Sequence, residues 1–270
     1  MDNMKPLVSI IVACYNCEDY LDKCMKSLLC QTYKNIEIVI CDDASTDNSY
    51  AILEKYALED SRVRLLRNEQ GLRAAASRNR CLEICQGDYV VIQDADDFSE
   101  LDRVEKLLNV LESNDKIDFV SSAAFHFSIS ETQVDCVQKI KKEAPIARDF
   151  LWGLPFIHAA TMFTRTCIKG VDGYRVAEET RRGQDYDMFM RMYATGYRGI
   201  NISEPLYWIR TDKEFYQRRV TSSAKDEYKV RVYGFKKLEL MPIGYLFACK
   251  PYIAELLHRL RYLLRKRDKI

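Results

Sequence analysis

Short runs of β-branched residues alternate with amphipathic helical segments through the first half of the chain, and this alternation is the strongest constraint on its fold. The strand-like runs are Leu7–Cys14, Ile36–Cys41, Arg62–Leu66, Asp88–Gln93 and Ile117–Ala124. The helical segments between them are Glu18–Leu29, Asn48–Glu59, Gly71–Cys85 and Leu101–Ser113. Because parallel strands need crossover helices, the pattern predicts an α/β fold with a mostly parallel, Rossmann-like sheet flanked by helices.

The second half of the chain is less regular, and residues 130–182 carry little periodicity. We expect a strand at Ala159–Thr164, a helix at Asp185–Tyr193 and, over Gly199–Ile209, a strand pair broken at Pro205. From Ala224 onward the pattern is mainly helical. The expected organisation is therefore one α/β domain over residues 1–222, with halves of about 1–128 and 129–222, and a helical extension over residues 223–270.

Local signals also predict where two helices begin and end. Ser45, Thr46 or Asp47 is expected to cap the helix that starts at Asn48. Gly87 is expected to stop the helix that ends at Cys85.

Polar residues follow three of the predicted strands at the point where each strand ends. They are Tyr15-Asn16 after the first, Asp42-Asp43 after the second and Asp94-Ala95-Asp96-Asp97 after the fourth. Ligands of open α/β sheets bind at this edge. Clustered carboxylates repel one another, and a divalent cation such as Mg²⁺ or Mn²⁺, which prefers oxygen ligands, would neutralise them. A solvated acidic loop and simple helix capping are the alternative readings.

Composition excludes several classes of function. A net charge of +1 gives no indication of a nucleic-acid partner. Ten cysteines and three histidines show no zinc-ligand spacing, so we expect buried, reduced thiols at Cys14, Cys30, Cys41, Cys81 and Cys85, as in a reducing cytosol. No signal-peptide pattern or membrane-spanning stretch is recognised, and we expect a cytoplasmic protein.

Several ordered blocks together resemble the family 2 glycosyltransferases of the GT-A fold. The blocks are S-I-I-V-A-C-Y-N at residues 9–16, E-I-V-I-C-D-D-A-S-T-D at 37–47, N-E-Q-G-L-R-A-A-A-S-R-N at 68–79, then Gly87–Asp97 and Gly183–Arg191. The resemblance covers residues 6–209 and implies that residues 1–128 bind the nucleotide and 129–222 the acceptor.

The resemblance also implies roles for individual residues. Those that it assigns to the donor and the metal are Ala13 and Tyr15 (nucleotide pocket), Asp43 (base), Arg78 (near the donor), Asp94 (ribose or metal), Asp96 (metal) and Asp97 (alternative metal ligand). Asp185 is the implied catalytic base, although Gln184 stands where that family often has Glu. The alternative for Asp185 and Asp187 is that they are acidic residues at the N-terminus of a helix, where negative charge is favourable. The resemblance places His158 near the acceptor cleft, but a structural histidine is the alternative, and it receives no role. For Trp152 and Phe156 we expect core packing, with stacking on a sugar ring as the alternative.

The implied activity is inverting transfer of a sugar from a nucleotide sugar, a UDP-sugar by preference, with Mn²⁺ or Mg²⁺. The implied acceptor is a saccharide or lipid-linked saccharide of cell-envelope or capsular polysaccharide synthesis. A nucleotidyltransferase and a non-catalytic sugar- or partner-binding protein on the same fold are the alternatives. No glycine-rich loop follows the first strand, which argues against the nucleotidyltransferase, and the absence of G-x-G-x-x-G argues against a dehydrogenase.

The end of the chain predicts a basic amphipathic helix. Its apolar residues are Ile253, Leu256, Leu257, Leu260, Leu263 and Leu264, and its basic residues are Arg259, Arg261, Arg265, Lys266, Arg267 and Lys269. Such a helix either lies on an anionic membrane, here the inner face of the cytoplasmic membrane, or packs on the preceding domain.

Overall fold

The computed structural model describes residues 5–128, 133–211 and 223–257, and within them one mixed sheet organises the fold. Its strands are β1 (Val8–Cys14), β2 (Ile36–Asp42), β3 (Val63–Arg67), β4 (Tyr89–Asp94), β5 (Phe98–Ser99), β6 (Phe119–Phe127), β7 (Cys136–Gln138), β8 (Thr161–Thr164) and β9 (Gly199–Arg210). They lie in the order β3-β2-β1-β4-β8-β6-β9-β5, with β7 beside β6. Strands β1 to β4 pair in parallel, so the predicted α/β fold is confirmed.

The remaining strands make the sheet more mixed than its first half predicts. Strand β8 lies antiparallel between β4 and β6, and β5 pairs antiparallel with β9. Strands β6 and β9 pair in parallel again. The carboxyl ends of β1, β2 and β4 therefore share one edge, and β9 brings a later part of the chain beside β5.

Helices cover both faces of the sheet. They are α1 (Glu18–Leu29), α2 (Ser49–Glu59), α3 (Arg73–Ile84), α4 (Arg103–Glu112), α5 (Arg165–Gly170), α6 (Gln184–Ala194), α7 (Ala224–Lys237) and α8 (Ile243–Ala248). Alternate residues of β1 enter different cores: Ile11 packs with the α3, α6 and α7 side, whereas Ile10 and Val12 pack with the α1, α2 and α4 side. This two-sided burial explains the unbroken apolar runs of the sequence.

Strand β9 corrects the prediction of a strand pair broken at Pro205. It is one strand that stays paired with β6, and the register shifts so that Ser122 faces Ile202 and Ala123 faces Pro205. Proline cannot donate to the ladder, and a bulge tolerates the missing N–H. The irregularity thus bends the strand without ending it.

Gly87 does not act as the predicted helix stop. Helix α3 ends with Cys85 in an extended conformation, and Gly87 lies against β1, where its N–H donates to Ser9 Oγ at 2.8 Å. A Cβ atom on Gly87 would lie 2.6 Å from Ser9 N. The glycine is therefore needed for close approach to the sheet.

The predicted cap of α2 is partly right. Asn48 is the residue that precedes the helix, but its side chain binds Glu18. Asp47 Oδ1 accepts from Ser49 N at 2.9 Å, so it satisfies one free N–H of the first turn. Ser45 and Thr46 instead bind Asn16.

All ten cysteines are unpaired thiols. Cys14, Cys41, Cys81 and Cys85 are buried as predicted, whereas Cys30 is exposed, which corrects that prediction. Hydrogen bonding to Cys17 and burial raise the pKa of the Cys14 thiol, so it stays protonated.

Within residues 223–257, α7 packs on α6, and α8 packs on α7 and on the 3₁₀ turn at Ala147–Leu151, so the predicted extension borders the domain directly. The basic and apolar residues predicted beyond position 257 lie outside the described residues. Across the ranges that the structure describes, every helix is too short or too polar to cross a bilayer.

Candidate active site

A cleft of about 1310 Å³ opens at the carboxyl ends of β1, β2 and β4. All the site residues predicted from the sequence line it: Ala13, Tyr15, Asp43, Arg78, Asp94, Asp96, Asp97 and Asp185. The expected convergence of acidic side chains from distant parts of the chain is therefore present. The functions of these side chains depend on how each one is held.

Asp43 is held by donors from the start of α3. Its Oδ1 accepts from Leu72 N at 2.8 Å, Asn68 Nδ2 at 2.6 Å and Ser77 Oγ at 3.1 Å. Its Oδ2 accepts from Arg73 N at 2.7 Å. A carboxylate has about four acceptor positions, so little capacity remains for a nucleobase. Asp43 thus anchors the first turn of α3 against the end of β2.

Helix α3 in turn carries Arg78 into the cleft. Arg78 Nη2 donates to Asp94 Oδ1 at 2.5 Å, and only 7% of the arginine side chain is exposed. Burial lowers the pKa of Arg78, but the charge and hydrogen bond of Asp94 together with the charges of Tyr174 and Asp185 outweigh burial and raise that pKa above its usual value. Its Nε and Nη1 are buried without a hydrogen-bond partner among the described residues. A buried cation with unused N–H groups is suited to bind an anion.

The acidic loop after β4 is joined to β9. Asp97 Oδ1 accepts from Arg210 N at 2.8 Å, and the Asp96 carbonyl accepts from Arg210 Nε at 3.2 Å. Burial and the charges of Asp96 and Asp94 raise the pKa of Asp97 well above its usual range. One oxygen of Asp97 is therefore engaged by the backbone of Arg210, and one oxygen of Asp94 is engaged by Arg78.

This donor set fits a divalent cation that also contacts phosphate. Within the described residues no three His, Cys, Asp or Glu side chains form a preformed cage. Mg²⁺ commonly binds one or two carboxylates and completes its shell with phosphate oxygens and water. Asp94 and Asp96, both lining the cleft, match that smaller set.

Asp185 and Asp187 have different environments on α6. Asp187 is fully buried and accepts from Arg175 Nε at 2.9 Å and from Arg191 Nε at 2.7 Å, which fixes α6 in place. Asp185 lines the cleft from the first turn, and its Oδ1 accepts from Tyr186 N at 2.8 Å. Asp187 is therefore structural, and Asp185 is the carboxylate that can meet a bound molecule.

Gln184, the departure from the family pattern, has a structural use. With its amide nitrogen turned toward the preceding 3₁₀ turn, it donates to the carbonyl oxygens of Thr180 and Arg181 at 3.1 Å each. A glutamate has no proton to donate to these carbonyls at neutral pH. The amide thus holds the turn that leads into Asp185.

His158, which the sequence left without a role, lies in the same cleft. Its Nε2 is 2.7 Å from the hydroxyl of Tyr174. Burial and the nearby Arg78 lower the pKa of His158 to about 4, so the imidazole is neutral at pH 7. Arg78, Asp94 and Asp185 all act on the charge of this ring, so His158 lies near all three.

The two predicted core aromatics differ. Phe156 is buried, with its ring 4.9 Å from that of Phe119, whereas the Trp152 side chain is 71% exposed. The prediction is therefore wrong for Trp152, which lies in a loop and contacts Phe247 at its edge.

Sequence reasoning missed the cleft wall made by α7. Glu227, Val230 and Arg231 line the cleft, as do Arg181 and Arg182 ahead of α6. A helical pattern with many charges gives no local signal that one arginine is turned inward. Only the packing of α7 on α6 brings Arg231 to the site.

The comparisons with known proteins agree with this geometry. The family model described as Glycosyl transferase family 2 matches residues 9–168. The EpsE protein of Bacillus subtilis (strain 168) is 34% identical over 252 residues, which are 93% of this chain and 90% of that protein.

Two solved structures share the fold. S. aureus TarS 1–349 in complex with UDP-GlcNAc matches with a TM-score of 0.70 at 20% identity, over 85% of this chain and 66% of that one. The mannosyltransferase PcManGT from Pyrobaculum calidifontis, in complex with GDP-Man and Mn²⁺, matches with a TM-score of 0.66 at 19% identity, over 99% and 81%. This chain thus spans about two thirds of the TarS fragment.

Proposed function

The chain belongs to glycosyl transferase family 2 and is a glycosyltransferase, and on this basis we propose that it transfers a sugar from a UDP-sugar to an acceptor hydroxyl with inversion. The observation that carries the proposal is the shared cleft, in which Asp185 faces the same space as Asp43, Arg78, Asp94 and Asp96. A TarS structure with bound UDP-GlcNAc supports the choice of a UDP-sugar.

The donor would occupy the end of the cleft at β1, β2 and β4. Ala13 and Tyr15 line that end, and Asp43 holds the first turn of α3 that carries Arg78. The unused Nε and Nη1 of Arg78 are suited to bind the nucleotide portion of the donor. Asp43 then acts mainly by positioning this wall, with a single contact to the base as a secondary role.

A divalent cation, Mn²⁺ or Mg²⁺, would be held by Asp94 and Asp96. Bound there, it would supply charge stabilisation to the departing nucleoside diphosphate. The PcManGT complex with Mn²⁺ supports a cation at such a site. The Asp97 carboxyl, already bonded to Arg210 N, supports the loop that carries the two ligands.

Asp185 would be the general base. Its Oδ1 is held by Tyr186 N, which fixes the carboxylate in the first turn of α6. An acceptor hydroxyl becomes a good nucleophile only as its proton leaves, and a positioned carboxylate can take that proton. One base and one displacement give inversion at the anomeric carbon. Neutral His158 adds no competing charge near the base.

The proposed acceptor is a saccharide or lipid-linked saccharide of cell-envelope or capsular polysaccharide synthesis, met at the inner face of the cytoplasmic membrane. Exposed apolar side chains near the described C-terminal end support peripheral membrane contact. Leu246 is 74% exposed, and Ile253, Leu256 and Leu257 are 54%, 58% and 50% exposed. The chain that follows carries six Lys or Arg residues and one Asp, which suits an anionic lipid surface.

The test combines donor binding with turnover in four variants. Nucleoside diphosphate release is measured over a panel of UDP- and GDP-sugars with Mn²⁺, and UDP binding is measured by calorimetry with and without Mn²⁺. In Asp185→Asn the amide oxygen still accepts from Tyr186 N, so we expect UDP binding to persist and turnover to fall by roughly 10²–10⁴-fold. Asp96→Asn should weaken Mn²⁺-dependent UDP binding more than Asp97→Asn does. Asp115→Asn, on an exposed surface, is the matched control.

If Asp185→Asn keeps full turnover, Asp185 is not the base. If UDP binds equally well with and without Mn²⁺, the proposed cation site at Asp94 and Asp96 is wrong. Absence of any nucleoside diphosphate release by the wild-type chain favours a non-catalytic binding protein.

A further inference from the structure

Helix α7 packs against α6, and Gly234 lies at the contact. A Cβ atom on Gly234 would lie 2.2 Å from both Cε and Sδ of Met190 and 3.1 Å from its Cβ, so a larger residue requires the Met190 side chain to move. Residues one turn apart share a helix face. Arg231, one turn before Gly234, is therefore held over Tyr186, one turn before Met190. The Arg231 Cζ lies 5.2 Å from the centroid of the Tyr186 ring.

The guanidinium of Arg231 has buried hydrogen-bonding capacity that the described protein does not use. Its Nε and Nη1 are buried, and neither has a partner among the residues that the structure describes. Leaving charged donors buried and unpaired destabilises a fold. Arg231 also lines the cleft. An anionic group entering the cleft can satisfy these donors, and guanidinium is the side chain best suited to phosphate and carboxylate.

The surroundings of Arg231 carry more positive than negative side chains. Arg181 and Arg182 line the same end of the cleft and are exposed, and the carboxylates there are Asp185 and Glu227. The N-terminus of α6 lies at this end as well and favours negative charge through its free N–H groups. The residues that line this end therefore carry three arginines against two carboxylates when Asp185 and Glu227 are ionised.

The position along the cleft separates this group from the donor end. Helix α7, which carries Arg231, packs mainly against α6, α8 and the 3₁₀ turn at Glu179–Arg181, whereas Ala13, Asp43 and Asp94 stand at or just after the ends of β1, β2 and β4. Tyr186 follows Asp185 directly, and Arg231 lies over its ring. A molecule whose hydroxyl meets Asp185 would thus extend toward Arg231 on the side away from the nucleotide.

We propose that Arg231, assisted by Arg181 and Arg182, binds an anionic group of the acceptor, a phosphate or a carboxylate, next to the hydroxyl that reacts. This inference rests on the proposed function for the identity of the acceptor end. Under this proposal, α7 makes the enzyme prefer acceptors that carry a negative charge. This helix lies outside the residues that match the family model.

The experiment measures saccharide binding to the full chain after saturation with UDP and Mn²⁺, so that the donor end is filled. The probes are glucose 1-phosphate, glucuronic acid and methyl glucoside, titrated by calorimetry. Charge-assisted hydrogen bonds predict that at least one anionic probe binds about 10–100-fold more tightly than methyl glucoside. Arg231→Gln should bring this advantage below about threefold, and Arg231→Lys should retain part of it.

Lys229→Gln is the matched control, because it removes the same charge from an exposed position of the same helix and should leave the binding of all three probes unchanged. The glucose 1-phosphate and glucuronic acid arms show which anion is preferred. Equal affinity for charged and uncharged probes in the wild type, or wild-type affinities in Arg231→Gln, overturns the inference. If UDP with Mn²⁺ does not bind, the proposed function fails instead, and titration of the UDP-free chain still tests the Arg231 subsite.

Discussion

Replacing Asp43 by asparagine would test whether this carboxylate mainly anchors α3. In the wild type, Oδ1 accepts from Leu72 N, Asn68 Nδ2 and Ser77 Oγ, and Oδ2 accepts from Arg73 N. An asparagine can keep its oxygen toward the three donors, but its NH₂ group then faces Arg73 N–H. The variant leaves one backbone donor unsatisfied and removes the charge from the other bonds.

The size of the effect follows from these contacts. A buried donor without a partner costs about 1–3 kcal/mol, and the loss of charge assistance weakens the three remaining bonds. Because bonds to one carboxylate are not additive, we expect a total of about 2–4 kcal/mol. In a protein of this size, 1 kcal/mol corresponds to roughly 2–4 °C, so the unfolding midpoint should fall by about 4–16 °C.

The assay is thermal unfolding without ligand, followed by UDP binding with Mn²⁺ below the transition. Asp47→Asn is the matched control. Asp47 also accepts two backbone N–H groups, from Ser49 and Glu18, but it lies outside the cleft and should lower stability by only about 1 kcal/mol. If Asp43→Asn unfolds at the wild-type temperature while UDP binding is lost, Asp43 acts on the nucleotide directly and the anchoring argument is wrong.

Two further predictions concern His158 and the membrane. The pKa of His158 in the folded chain is about 4, below its ordinary value of 6.5. As pH falls, the unfolded chain therefore takes up the proton first, and the free energy of unfolding decreases between about pH 6.5 and about pH 4. Urea unfolding over this range should show a loss of up to about 3 kcal/mol that His158→Asn removes, and an unchanged slope in that variant would refute the assignment. The chain should co-sediment with vesicles rich in phosphatidylglycerol. The double substitution Ile253→Ser and Leu257→Ser should reduce this binding by about tenfold or more. The control Leu58→Ser, which alters an 84% exposed leucine on α2, should leave binding unchanged. Equal binding to uncharged phosphatidylcholine vesicles would count against an anionic surface.

The first half of the fold could be predicted from the sequence because its strands are buried on both faces. Residues such as Ile10 and Ile11 then read as one continuous apolar run. The insertion of β8 between β4 and β6 could not be predicted, since antiparallel pairing between distant segments leaves no local period. The continuity of β9 through Pro205 was missed for a related reason, because only its pairing with β6 keeps it a single strand.

Some residues of the candidate site could likewise be predicted from the sequence, and others could not. Carboxylates that directly follow buried strands, such as Asp94 and Asp96, could be found from position alone. The anchoring of α3 by Asp43 depends on N–H groups that arrive from a later segment. Arg231 depends on the contact between Gly234 and Met190, and no short-range pattern encodes such a contact. Residues that act through tertiary packing therefore need the structure.

The connection between β5 and β9 limits how this enzyme can be re-engineered. Asp97 Oδ1 accepts a hydrogen bond from Arg210 N, and Gln93 Nε2 lies 3.3 Å from the Tyr207 hydroxyl. The rings of Phe98 and Trp208 stack with their centroids 5.1 Å apart. A chimera spliced just after residue 168 would import a foreign β9 and disturb the loop that carries Asp94 and Asp96. Under the role proposed for Arg231, acceptor preference is better exchanged by grafting α7 alone, with Gly234 retained, because α7 packs mainly on α6, α8 and the 3₁₀ turn before α6.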